Sequence, residues 1–251
     1  MWGSLRVGFR SIAPRRRGHF RPSSPVQFFA ISLFIWLALF LPLSSPLPSP
    51  IALTAHADSI ILASEVLNQL PVKGRAPKTG YSREAFGQAW SDVDRNGCDT
   101  RNDILKRDLR SVTFKPGTRE CVVLSGTLND PYSGTTISFL RGETTSALVQ
   151  IDHVVALSNA WQTGAFQLSL KERTALANDP LNLLAVKGSL NSQKGDGDAA
   201  TWLPPNKSFR CEYVARQIAV KKKYRLWLTA PEKSEMARIL SRCPAQGLPS
   251  S

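Results

Sequence analysis

Beyond residue 57 this chain has one imidazole with which to do proton chemistry at neutral pH. Of its three histidines, His19 and His56 lie early, and His153 stands alone beyond them. Histidine is the side chain whose ordinary pKa lies near working pH. Asp152 precedes it directly, in Gln150-Ile151-Asp152-His153-Val154-Val155. Further on come Asn182, in Asp179-Pro180-Leu181-Asn182-Leu183, and Asn191 with Lys194, in Asn191-Ser192-Gln193-Lys194. Asp152 and Asn191 offer oxygen, the donor that a hard divalent cation prefers. A base needs a partner to orient it, and Asn182 is the candidate to accept the Nδ1 proton of His153.

These groups suit hydrolysis of a phosphodiester. Water must lose a proton, the pentavalent phosphate must be stabilised, and the leaving oxygen must be neutralised. His153 can act as the base, and a divalent ion on Asp152 and Asn191 can do much of the rest. Neighbours on a strand point to opposite faces. Asp152 and His153 therefore share a substrate only if the strand twists or bulges, or if the ligand reaches around its end. Plainer readings stand beside these. A lone His beside Asp is commonly a surface or satisfied core pair, Asn182 a turn residue, and Asn191 a helix cap. Gly195-Asp196-Gly197-Asp198 superficially suggests a calcium loop, but lacks the regularly spaced oxygens ending in Glu. Lys221-Lys222-Lys223 reads as a solvated helix face, with phosphate contact as the alternative. Arg101, Arg107 and Arg141 are candidates to bind phosphate, or to pair with Asp103 or Asp108. Trp90, Trp161, Trp202 and Trp227 read most simply as core, with base stacking as the alternative.

Several elements must hold these residues. Apolar residues recur at helical spacing over 58–73 and stop at Pro71. Residues 99–109 read as a helix capped by Asp99. Residues 121–128 and 135–140 read as strands of a hairpin around the turn Asn129-Asp130-Pro131-Tyr132-Ser133-Gly134. Residues 146–155 form a third β-like run and carry Asp152 and His153. Helix-forming content over 158–177, which Gly164 can interrupt, leads to a brief strand at 183–186. Gly188 turns the chain, and Asn191 to Lys194 open or precede the next helix. Residues 210–224 and 230–240 read as helices, and 244–251 as a loose tail.

The 251 residues allow one domain or two small ones. Six arginines and no acid fall in residues 1–57, where an apolar run from Val26 to Leu43 precedes Ala55-His56-Ala57. That pattern is a secretory signal, with an uncleaved membrane anchor as the rival. Residues 58–251 then read as one domain of net charge +7. A basic surface attracts phosphate backbones, and also anionic membranes and walls. No stable protein partner is evident, and no span remains once the signal is cleaved. Cys98, Cys121, Cys211 and Cys243 all lie in this part. An even count in an exported chain reads as two disulfides. Three pairings exist; Cys98–Cys121 with Cys211–Cys243 is favoured because each brackets a compact local segment. The rival, a zinc site, lacks any Cys-x-x-Cys spacing.

Residues 92–243 resemble the secreted bacterial HNH (His-Me finger) endonucleases related to the C-terminal nuclease domain of GmrSD-type enzymes. The resemblance rests on Gly97-Cys98-Asp99-Thr100-Arg101-Asn102, Leu105-Lys106-Arg107-Asp108-Leu109, Asp130-Pro131-Tyr132-Ser133-Gly134, Ile151-Asp152-His153-Val154-Val155, Ala160-Trp161-Gln162-Thr163-Gly164-Ala165, Ala177-Asn178-Asp179-Pro180-Leu181-Asn182-Leu183, Asn191-Ser192-Gln193-Lys194-Gly195-Asp196 and Trp202-Leu203-Pro204-Pro205. It implies an α+β fold with a ββα-metal core, surrounding helices and a hairpin. It further implies His153 as general base, Asp152 and Asn191 as ligands of one divalent metal, Asn182 as the central asparagine, and Lys194 on phosphate. Ala156 stands where the family often has Pro, and Asn191 where other HNH enzymes place a second His. The expected activity is metal-dependent cleavage of nucleic acid with little sequence specificity, DNA ahead of RNA, with Mg²⁺ or Mn²⁺. Two rivals remain: a non-catalytic basic surface protein on the same scaffold, and another hydrolase, which no Ser or Cys nucleophile motif supports.

Overall fold

The computed structural model describes residues 61–249; the signal expected over 1–57 lies outside the described residues. The described chain runs through helix α1 (Ala63–Gln69), helix α2 (Thr100–Asp108) and an antiparallel meander of strands β1 (Leu109–Phe114), β2 (Val123–Asn129) and β3 (Thr136–Leu140). Strand β4 (Val149–His153) follows, then helices α3 (Leu157–Gln162) and α4 (Leu170–Ala177). Strand β5 (Leu183–Lys187) returns antiparallel to β4, helix α5 (Gly188–Lys194) starts at once, and helices α6 (Arg210–Lys223) and α7 (Ala230–Leu240) close the chain. No helix of the described residues is long and apolar enough to cross a membrane.

Leu183 to Val186 form a continuous apolar run because β5 is covered on both faces. One face, with Val149, Ile151, Leu183 and Ala185, packs on Ile104 and Leu105 of α2 and on Val123 and Phe139 of the meander. The other, with Leu184 and Val186, packs on Val66 of α1, Val214 and Ile218 of α6 and Met236 of α7. Asp99 caps α2 by accepting from Asn102 N, as the sequence suggests. The disulfides are Cys98–Cys121 and Cys211–Cys243, the favoured pairing. The first fastens the loop before α2 to the start of β2, and the second joins α6 to the end of α7.

Three features depart from the sequence reading, and the interruption expected at Gly164 is present. Strand β1 was not anticipated: its register slips between Arg110 and Thr113 and Ser111 takes φ +49°, which breaks the period-two alternation. The stretch 158–177 is two helices separated at Gly164, whose φ of +128° no helix allows. Helix α5 begins at Gly188, so Asn191 to Lys194 are its second half and Asn191 is not a cap. The C-terminal segment is pinned, since Ala63 N donates to Gln246 O at 2.9 Å and Leu248 N to Ile61 O at 3.0 Å.

The lysine run also divides. Lys221 is fully buried, its ammonium 2.9 Å from Glu232 Oε1 and 3.0 Å from the Trp227 carbonyl. Lys223 pairs with Asp179, and Lys222 is left exposed. A buried charge stripped of its partner is costly. Lys221→Met should lower stability by about 3–5 kcal/mol in urea denaturation at pH 7, and adding Glu232→Gln should restore part of that loss by removing the orphaned charge.

Candidate active site

Asp152 and His153 end β4 on opposite faces, as strand pleating requires. No bulge brings them together: the β4–β5 register runs unbroken from Val149↔Lys187 to His153↔Leu183. A polar cavity of about 300 Å³ instead wraps the end of the strand, lined by Asp152, His153, Asn191, Asp196, Ser158 and Arg83. Both residues thus line one cavity around the strand end.

His153 Nε2 lies 2.8 Å from the carbonyl oxygen of Ala177. A carbonyl only accepts, so Nε2 carries the proton and Nδ1 keeps the lone pair. Ala177 is the last residue of α4, where helix carbonyls lack intrahelical partners. Burial pushes the imidazole pKa down to about 4; the positive charges of Arg83 and Lys194 act the same way, and the Ala177 bond opposes them. The ring is therefore neutral at pH 7. Trp90 lies nearly parallel to it, at 17° with centroids 6.1 Å apart.

Asn182 does not hold the His153 ring, contrary to expectation. Its Oδ1 accepts from Val155 N at 2.8 Å, and its Nδ2 donates to the carbonyls of Val155 and Leu176, each at 3.3 Å. Its backbone carbonyl takes the Val154 N–H at 2.8 Å. Asn182 thus ties the two residues after His153 to the residue before Ala177, and so fixes both ends of the His153–Ala177 bond. The tautomer itself is set by Ala177.

Asp152 accepts from Lys194 Nζ at 2.9 Å and from the Tyr132 hydroxyl at 2.5 Å. Burial raises its carboxyl above the usual range, against the pull of those two donors. The Lys194 ammonium also donates to the His153 carbonyl at 2.8 Å. A buried ammonium requires an anion and acceptors, and Lys194, only 3% exposed, spends its donors on Asp152 and the His153 backbone instead of facing solvent. Asn191 Nδ2 donates to Gln150 Oε1 at 2.8 Å, which leaves its Oδ1 as a free acceptor among the described residues. Gly188 sets the height of α5: a Cβ there would sit 2.0 Å from the Ala147 carbonyl oxygen and push Asn191 and Lys194 away from β4.

Arg107 and Arg141 are not brought to the cavity. Arg107 donates to the carbonyls of Pro180 and Leu183 and pairs with Asp108. Arg141 donates to the Val123 carbonyl and to Asn102 Oδ1. Both guanidiniums satisfy backbone carbonyls, Arg107 those of the loop that carries Asn182. The arginine at the cavity is Arg83, which lines it beside His153 and whose side chain has no hydrogen-bond or ion-pair partner among the described residues. It was missed because nothing in Ser82-Arg83-Glu84 marks it apart from other surface arginines.

Fold and site define a disulfide-bonded α+β protein whose single imidazole in the described residues is held neutral at the edge of an oxygen-lined cavity. The chain belongs to the family described as GmrSD restriction endonucleases, C-terminal domain, whose model matches residues 99–239. An "Uncharacterized secreted protein" of Arthroderma benhamiae is 36% identical over 198 residues, 78% of this chain and 92% of that protein. No solved structure matches. The family match spans Asp152, His153, Asn182, Asn191 and Lys194, whereas Arg83 and Trp90 precede it.

Two outcomes follow from this geometry. Between about pH 6.5 and about pH 4 the unfolded chain binds a proton at His153 that the native state refuses. Native stability from this residue is complete above the upper value and lost as pH falls through the window, so the urea midpoint should drop more steeply from pH 7 to pH 4.5 in the wild type than in His153→Gln. Asn182→Ala leaves the buried Val155 N–H without its acceptor and should cost on the order of 1–3 kcal/mol, measured by the same denaturation.

Proposed function

We propose that the chain is an exported, metal-dependent endonuclease of the HNH, ββα-metal type. The observation that carries the reading is the His153–Ala177 bond, which leaves Nδ1 unprotonated at the cavity edge. β4, β5 and α5 supply the strand–strand–helix core, with Asp152 at the end of the first strand and Asn191 on the helix. The family membership, the basic charge and the unpaired Arg83 all support a nucleic-acid substrate. Disulfides and a relative named as secreted support export.

The residues present fit a lightly held divalent cation. Among the described residues no three His, Cys, Asp or Glu side chains are grouped to share a metal. Asp152 and Asn191 line one cavity, however, and the Asn191 Oδ1 is free. Each Asp152 oxygen accepts one hydrogen bond and keeps a further lone pair. Two oxygen donors suit Mg²⁺, which retains several waters. When bound, such an ion supplies positive charge for the phosphate and the leaving oxygen. The chain's own residues do the rest. Arg83 binds a phosphate oxygen, and His153 Nδ1 takes the proton of the attacking water. Lys194 and Tyr132 fix the Asp152 carboxylate, and Gln150 turns the Asn191 amide. DNA is the expected substrate ahead of RNA, with little base specificity.

The alternative, a basic binder on the same scaffold, draws on the Lys194 ammonium that already neutralises Asp152. Supercoiled plasmid and a folded RNA should be incubated with the oxidised protein in Mg²⁺, Mn²⁺ or EDTA. We expect nicking that EDTA abolishes and that His153→Ala lowers by about 10²–10⁴-fold with the denaturation curve at pH 7 retained. Plasmid that shifts on a gel but is never cut in any metal identifies the binder.

A further inference from the structure

A second cavity lies against His153. It measures about 180 Å³ and is lined by Phe86, Trp90 and Ala177, with Arg83, His153 and Leu157 shared with the polar one. The two cavities differ in chemistry. The first is mainly polar, whereas the second presents more aromatic and aliphatic carbon, beside the amides of Gln88 and Asn178. A nucleotide has the same two halves, an anionic phosphate and a flat apolar ring. The volume is below the roughly 300–1,000 Å³ that encloses a drug-sized ligand, so it suits a single planar ring system.

Trp90 singles this cavity out. Its φ of +57° is in the left-handed region, which a bulky residue rarely adopts. The conformation is held by Thr100, whose N–H donates to the Trp90 carbonyl at 3.3 Å and whose hydroxyl donates to the Ser91 carbonyl at 2.5 Å. Strain over-determined by its surroundings is a mark of functional positions. Here it keeps a half-buried indole in the cavity wall, nearly parallel to the His153 ring.

We propose that this cavity is a nucleobase pocket: the base of the nucleotide adjoining the scissile phosphate stacks on Trp90, while Arg83 holds the phosphate at the junction of the two cavities. This rests on the nuclease reading and names its substrate class. A base in the pocket is out of its duplex stack, so the protein acts on single-stranded nucleic acid in preference to duplex. Stacking on an aromatic side chain is sequence-tolerant, because every base has a π-face. That agrees with low base specificity.

The test is equilibrium binding of the oxidised protein, read by fluorescence anisotropy in EDTA. The probes are a short DNA single strand, the same strand annealed as duplex, and an abasic strand of equal length. The intact single strand should bind about 5- to 100-fold more tightly than the abasic one, and more tightly than the duplex. Trp90→Ala should erase the first difference and Trp90→Phe should keep it. Should Trp90→Ala not fold, Ala89→Phe, which fills the cavity from its rim, reads the same loss. An abasic strand or a duplex bound as tightly as the intact strand overturns the pocket, as does a preference that survives in Trp90→Ala or, where that variant does not fold, in Ala89→Phe. Because no cleavage is measured, a protein that cuts neither plasmid nor single strand in any metal but shows the base-dependent binding refutes the nuclease reading alone.

Discussion

The site hangs on the side chain of one fully buried asparagine. Between β4 and β5 the chain leaves the sheet, builds two helices and returns, and Asn182 closes that excursion. Its amide bonds Val155 in both directions and reaches Leu176, while its backbone takes the Val154 N–H. The residues on either side of the His153–Ala177 bond are thereby fixed to one another. Buried backbone groups must be paired, and here a single side chain pairs groups from both ends of the excursion. Arg107 and Arg216 finish the task by capping the carbonyls of Pro180, Leu181 and Leu183. Two arginines that would read as surface charge are structural supports of the loop that carries Asn182.

Around this frame, burial sets the electrostatics. His153 is kept neutral mainly because its surroundings desolvate it, and the lone pair on Nδ1 follows from what Nε2 must donate to. Asp152 would be similarly disfavoured as an anion without the Lys194 ammonium and the Tyr132 hydroxyl. Lys194 also bonds the His153 carbonyl, so one ammonium holds the strand end and the carboxylate together. The acid and the base sit on opposite faces of the strand, the acid tied through Lys194 to the His153 backbone and the base to the Ala177 carbonyl. The cavity that joins them is completed from elsewhere: α5 brings Asn191, and the stretch before α2 brings Arg83, while Trp90 lines the second cavity beside His153.

Much of this was legible in the sequence because it is local. The helices of residues 99–109, 210–224 and 230–240, the hairpin around residues 129–134 and the buried strand at residues 183–186 follow from periodicity, caps and turn residues. The disulfide pairing follows from short brackets. Asp152 and His153 stand out by adjacency, and by the lack of another imidazole in the described residues. Strand β1 was hidden by its bulge, and the start of α5 by a glycine that the helix needs for close approach to Ala147.

What the sequence determined by itself is the inventory: one imidazole with a neighbouring acid, two asparagines and a lysine downstream, four cysteines and a basic surface. Tertiary structure alone decided their employment. It assigned the His153 proton to Ala177 rather than to Asn182, put Lys194 on Asp152, turned Arg107 and Arg141 into backbone supports and left Arg83 free at the cavity. The reason is physical. A side chain's partners depend on which groups are buried without one, and that is settled only when elements distant in sequence pack together.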